Sequence, residues 1–249
     1  MRDRRQTPLP REQKDPLSLT ALIGANLIPF AGIFLFDWDV RYIVILYWVE
    51  NLIVGFYNIV KMAILREGPA AGHTSKLFTI PFFCVHYGGF CAVHGFFLIH
   101  FFHIGSGWSP FSGKGDWWGP LVFIQLLVSV IAKIWSSRPP EMIWAVIGLA
   151  ISHGVSFVEN YLLGGEYKRT SLRKLMRQPY QRIVVMHIAI LAGGIFVMKL
   201  NSPMPLMIIL VLLKIFFDLH LHTKSHRENL HKTENHGDAA NNEKANPAH

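Results

Sequence analysis

Seven apolar runs separated by short polar stretches divide the chain, at about residues 17–36, 42–65, 77–103, 117–135, 142–163, 181–199 and 204–222. Each approaches the roughly 20 residues an α-helix needs to cross about 30 Å of hydrocarbon. Within lipid the backbone must satisfy its own hydrogen bonds, so a spanning chain forms helices or a closed barrel. No even series of alternating strand-like segments occurs, which leaves helices. Trp108, Trp117, Trp118, Trp135 and Trp144 fall near run ends, where indole rings favour the membrane interface. The pattern predicts an all-α fold: a polytopic transmembrane helical bundle of six or seven spans.

The flanks have a different character. Residues 1–16 are polar and arginine-rich. The run behind them is long enough to span and lacks a small-x-small cleavage pattern, so it reads as an uncleaved first span. From residue 223 the chain turns polar, as a disordered tail does. The expected organisation is a basic segment over 1–16, a transmembrane domain over 17–222 and a histidine-containing tail over 223–249. Between the fifth and sixth runs lies GGEYKRTSLRKLMRQPY, residues 164–180. Its Leu172, Leu175 and Met176 recur at i, i+3, i+4 among Lys and Arg. That spacing predicts a short amphipathic helix near 167–177 lying on the membrane surface.

Composition agrees. The chain is 51% hydrophobic and only 16% charged, against about 25% charged in soluble domains. Its net charge is +8, but the basic residues lie mostly in the termini and between apolar runs. That placement suits anionic lipid headgroups and topology control; no nucleic-acid motif is present. Arg2, Arg4, Arg5, Arg11 and Lys14 form one basic segment; Lys168, Arg169, Arg173, Lys174, Arg177 and Arg182 form another. Positive-inside logic wants both in the cytoplasm, yet five apolar runs lie between them. One of those runs must then be re-entrant or interfacial, or the charge rule fails locally. Cys84 and Cys91 are seven residues apart, roughly 10 Å of helical rise. A disulfide needs Cα atoms within about 7 Å, so both are expected as free thiols.

Ionisable side chains inside spans are costly and usually face a bundle interior or a wet cavity. Here they include Glu50, Lys61, His86, His94, His100, Lys133, His153, Glu159, His187, Lys214 and Asp218, with Asn51, Asn58 and Asn160 beside them. Glu50, Tyr57 and Lys61 form one helical stripe at i, i+7, i+11. His153, Ser156 and Asn160 follow i, i+3, i+7, and Lys214 and Asp218 are four apart. Counting rise from the run ends makes Glu50 level with His94, and Asn58 level with His86. Glu50, His86, His94, His187 and Asp218 are therefore candidate metal ligands, with chemistry suited to zinc or non-haem iron. Asn51, Asn58, His153 and Asn160 are expected in the polar interior. The plainer alternative is that these groups only tie helices together.

Weaker signals accompany these. His86 and His100 are fourteen apart, a spacing compatible with haem stacking, but no second such pair exists on another run. The string VEN occurs at 49–51 and 158–160, slender grounds for an internal repeat. Tail histidines His220, His222, His226, His231 and His236 fit a solvated tail better than a metal site.

Taken together, the strings YWVEN (47–51), PFFCVHYGGFCAVHG (81–95), SHGVSF (152–157), GEYKRTS (165–171), PYQRIVVMH (179–187) and LLKIFFDLHLH (212–222) resemble a bacterial family of multi-pass membrane proteins known as a domain of unknown function. The resemblance covers roughly residues 17–225. It implies an integral membrane protein and brings no assigned activity; the chain as a whole is read as an all-α protein of a bacterial inner membrane. Glu50, Asn51, His86, His94, His153, Glu166, His187 and Asp218 fall within those strings. Three functions stay open: a structural or interaction protein with polar residues as helix glue, a metal-dependent intramembrane enzyme, and a proton-coupled transporter or channel. No catalytic residue is assigned.

Overall fold

The structure, a computed structural model, describes residues 39–65, 74–105, 107–111, 115, 117–200, 202, 204–213 and 216. The predicted first span, the tail, Lys214 and Asp218 lie outside the described residues. The elements are α1 (Val40–Ile64), α2 (Thr74–Phe101), a 3-10 turn (Gly119–Leu121) leading into α3 (Val122–Ser137), and α4 (Met142–Ser156), which widens into a π-turn over Phe157–Leu163. Two short helices follow, α5 (Glu166–Arg169) and α6 (Leu172–Arg177), then α7 (Tyr180–Leu200) and α8 (Met204–Leu213). No strand occurs among the described residues. Among the described residues five segments are long and apolar enough to cross a membrane: Val40–Ile64, Lys76–Phe101, Gly119–Ser137, Met142–Leu163 and Leu172–Leu200. They correspond to the second to sixth apolar runs.

Local chemistry sets the boundaries. Asp39 caps α1, its carboxylate accepting from the Arg41 amide at 2.9 Å and from the Arg41 guanidinium at 2.5 Å. That hydrogen-bonded guanidinium holds the Asp39 carboxyl below its ordinary range. Ser171 caps α6 by accepting from the Lys174 amide at 3.3 Å, satisfying one of the orphan donors at a helix start. Between α4 and α5 the backbone turns through Gly165 at φ 67°, a left-handed conformation that glycine adopts without penalty.

Cross-helix contacts fix the direction of each helix. The Trp48 indole donates to the Cys91 carbonyl at 2.8 Å, and the Tyr87 hydroxyl to the Asn51 carbonyl at 3.0 Å. Residues ascending α1 thus meet residues descending α2, and the pair is antiparallel. Between α2 and α3 the order is reversed. A Cβ on Gly89 would lie 3.3 Å from Phe123, one on Gly88 3.5 Å from Leu127, and one on Gly95 2.5 Å from Val130; Gly105 abuts Lys133. So α3 starts beside the middle of α2, runs parallel to it, and finishes at the same end. The linker must come back along the bundle. Trp108 lies beside Phe96 with ring centroids 6.4 Å apart, and buried Gln125 holds the linker's far part. Its Oε1 accepts from the Trp117 amide at 2.7 Å and its Nε2 donates to the Gly115 carbonyl at 3.2 Å. Irregular backbone at membrane depth requires such partners.

The remaining helices follow the same reasoning. Lys61 meets Tyr161 where Glu50 meets His153, so α4 runs parallel to α1. His86 meets Tyr180, His94 meets His187 and Phe101 meets Gly194, so α7 runs parallel to α2. The loop 164–178 therefore sits at the end where α1 and α4 finish and α2 and α7 begin.

That end is closed by the stretch expected on the membrane surface. Leu172 and Leu175 are buried in a cluster with Met62, Leu65, Phe83, Tyr87, Cys91, Tyr161 and Ile183. The amphipathic period points inward because the bundle end needs an apolar cover; Arg173, Lys174 and Arg177 are left exposed. Along α4 and α7 the exterior carries apolar faces. Trp144, Ile147, Ile151 and Val155 on α4, and Val184, Ile188, Leu191 and Ile195 on α7, are all exposed. Continuous apolar surface of this kind suits lipid far better than water.

Candidate functional site

The polar stripe of α1 faces α4 and the start of α7. Each of its members finds a cross-helix partner. The Tyr57 hydroxyl donates to the Ala150 carbonyl at 3.0 Å. Lys61 lies 3.3 Å from Glu166 and 5.0 Å over the Tyr161 ring. Glu50, whose side chain is only 12% exposed, accepts from Arg182 Nη1 at 2.6 Å, and its same Oε1 lies 3.5 Å from His153 Nε2. A carboxylate so enclosed needs cationic or donor partners to offset lost hydration. Arg182 supplies them from the first turn of α7, where its length lets it reach inward while staying 42% exposed.

Next to this group lies a cleft of about 290 Å³ whose lining includes Tyr57, Asn58, Lys61, His153, Ser156 and Arg182. Its wall thus carries one guanidinium, one ammonium and one imidazole, with neutral donors between them. Both permanent cations are held by carboxylates, Glu50 and Glu166, that a ligand of the same charge type could replace. Guanidinium suits this role because its fork matches planar oxyanions.

The candidate metal ligands do not gather. His94, buried on α2, places Nε2 3.0 Å from His187 Nδ1 on α7. Between neutral rings that contact requires one N–H and one lone pair. His86 is exposed; its Nδ1 lies 2.7 Å from the Tyr180 hydroxyl, with its ring stacked on Phe82. Glu50 belongs to the Arg182 and His153 group. Glu50, His86, His94 and His187 are thus split among three pairings, because α7 offers Tyr180 and Arg182 in its first turn, and His187 further along, to different neighbours. Among the described residues no three His, Cys, Asp or Glu side chains come together to hold a metal. Zinc or iron ligation by that set is not supported there, and Asp218 lies outside the described residues.

The expected interior residues divide. Asn51 and Asn58 are buried. Asn58 donates to the Leu175 carbonyl at 2.9 Å, securing α6. Asn51 donates to the Tyr47 carbonyl of its own helix at 2.9 Å. His153 lines the cleft. Asn160 does not belong to the interior: it is exposed and donates to Ser156 Oγ at 3.0 Å. The π-turn widens the helix there, where the Gly164 amide donates to the Glu159 carbonyl at 2.8 Å. This shifts the stripe by one position, so Tyr161 rather than Asn160 points inward. The free-thiol expectation for Cys84 and Cys91 holds. In the sequence Arg182 is visible only as a loop charge, and Glu166 only by its place in a family string. Their signal lies in the strings PYQRIVVMH and GEYKRTS, which place them beside residues that reach the bundle.

The fold and site define a helical protein with, among the described residues, five membrane-length helices and a charged cleft at one end. The chain belongs to a family of unknown function, DUF6498, which it matches over residues 8–235. No curated protein and no solved structure matches it.

Proposed function

We propose that this is a multi-pass protein of a bacterial inner membrane, and that its cleft binds a small anionic solute from the cytoplasmic side. Orientation rests on charge. Among the described residues the end holding the 164–182 loop carries Lys61, Lys76, Lys168, Arg169, Arg173, Lys174, Arg177 and Arg182, against Arg41, Lys133, Arg138 and Lys199 at the other. Positive-inside logic assigns the first end to the cytoplasm.

The observation that carries the binding role is the Glu50–Arg182 contact of 2.6 Å, with His153 beside it and the cleft in front. Glu50 acts as an internal competitor that occupies Arg182 until an anion takes its place. Calorimetric titration of the detergent-purified chain with inorganic phosphate tests this. Glu50→Gln is expected to tighten binding about 10-fold, because a neutral amide releases the guanidinium, a charge-assisted bond being worth on the order of 1.5–3 kcal/mol. Arg182→Gln is expected to abolish binding. Equal affinity in both variants and the parent would remove the cleft from consideration.

A packing role has specific support elsewhere in the bundle. Tyr57, Asn58, Tyr87 and Tyr161 all donate to main-chain carbonyls of other elements, which is how polar groups tie membrane helices. If Glu50 only did the same, Glu50→Gln would leave phosphate binding unchanged.

A further inference from the structure

A second concave site lies outside the cleft, at the corner between α6 and α7. It is an open groove of about 720 Å³, and its lining includes Ser171, Arg173, Lys174, Arg177, Gln181 and Val184. Arg173, Lys174 and Arg177 are exposed, and none of the three has an ion pair among the described residues. This separates them from Lys61 and Arg182, whose charges are already matched within the protein. Three unmatched cations with a serine hydroxyl and a glutamine amide between them form a receptor for a phosphate-type anion.

The lower part of the groove identifies the kind of anion. Its lining passes from the cations to Val184. From there an apolar stripe continues along α7: Val184 is 46% exposed, Ile188 40%, Leu191 53% and Ile195 57%. The spacing i, i+4, i+7, i+11 keeps these residues on one helix face. A soluble phosphate would use the cations and leave the stripe bare. A phospholipid would use both, its headgroup against α6 and an acyl chain along α7. Leu172 and Leu175, buried beneath α6, fix the short helix that presents the cations.

We infer that this groove is a binding site for an anionic phospholipid, held by Arg173, Lys174 and Arg177 with its acyl chain on the Val184–Ile195 face. The inference is independent of the cleft, since its determinants lie on α6 and the outer face of α7.

The test titrates the full chain in detergent with phosphatidylglycerol, phosphatidylcholine and glycerol phosphate, following bound lipid by native mass spectrometry. The parent is expected to prefer phosphatidylglycerol over phosphatidylcholine by about 10-fold or more, given three cations at the headgroup level. Glycerol phosphate should bind at least 10-fold more weakly than phosphatidylglycerol, on the order expected for loss of an acyl chain's contacts. The triple variant Arg173→Gln, Lys174→Gln, Arg177→Gln should lose the preference, and the double variant Arg173→Lys, Arg177→Lys should keep most of it. Equal binding of the two lipids by the parent would overturn the inference. So would glycerol phosphate matching phosphatidylglycerol, or a folded triple variant keeping the full preference. If the triple variant does not fold, the parent's lipid ratio and the lysine variant still decide. Arg182→Gln should leave the lipid preference intact, so failure of the cleft reading and failure of this one are distinguishable.

Discussion

Gly95→Val is expected to leave no folded protein in detergent, and Gly95→Ala to lower the unfolding temperature markedly. Three helices meet at this position. A Cβ there would lie 2.5 Å from Val130 Cγ1 on α3 and 2.6 Å from Trp48 Cζ2 on α1. Neither neighbour has room to yield. Val130 is 0% exposed and Trp48 1%, and the Trp48 indole is anchored to the Cys91 carbonyl at 2.8 Å. Valine's branched side chain holds one preferred χ1 in a helix. Overpacking in a well-packed core costs about 1–3 kcal/mol, and more when the backbone must move. Here relief requires α1 or α3 to move away from α2, which would also strain the Gln125 clamp on the linker. Gly148, where an added Cβ would meet nothing within 4 Å, is the control. Gly148→Ala should be neutral or stabilising by up to about 1 kcal/mol, through helix propensity. Thermal melts monitored by gel filtration check both. A Gly95→Val protein melting like the parent would show that the three helices do not pack as described.

The position of each helix along the chain is legible in the sequence because hydrocarbon thickness imposes a length that apolar runs must meet. Runs two to six appear as helices close to their expected limits. Direction is not legible. The hydropathy of Gly119–Ser137 is that of a crossing segment, and nothing in its composition says that it starts beside the middle of α2. What allows this is the small residues of α2, Gly88, Gly89 and Gly95, against which α3 packs. Their close approach depends on a partner that periodicity does not identify.

The site is legible in the same partial way. The burial of Asn51 and Asn58, and the inward aim of the half-buried Glu50, follow from the cost of polar groups in lipid, which drives them inward. Their partners do not follow. Depth counting pairs His94 with Glu50, but depth says nothing about which way a side chain faces around its helix. Arg182 reads as a loop charge because it lies in the first turn of α7, and only a long side chain reaching inward joins it to Glu50. Asn160 escapes prediction for a related reason. Spacing at i, i+3, i+7 assumes 3.6 residues per turn, and the π-turn over Phe157–Leu163 breaks that assumption. The period of Leu172 and Leu175 is amphipathic, as the spacing predicts. An amphipathic period does not distinguish a lipid surface from the open end of a bundle.

Cysteine labelling tests the topology on which the cytoplasmic cleft depends. In a chain with Cys84 and Cys91 replaced by alanine, single cysteines would be placed at His103, Ser136 and Ser171, all exposed positions. His103 follows the end of α2, and Ser136 lies in the last turn of α3. Simple alternation of crossings puts an apolar helix, and therefore the whole membrane, between them. The parallel packing of Gly88 with Leu127, Gly95 with Val130 and Gly105 with Lys133 puts them together instead. Ser171 belongs to the basic end. With a membrane-impermeant thiol reagent on intact cells, the expected result is labelling at 103 and 136, with position 171 labelled only after permeabilisation. Opposite accessibility of 103 and 136, or labelling of 171 in intact cells, would contradict this topology.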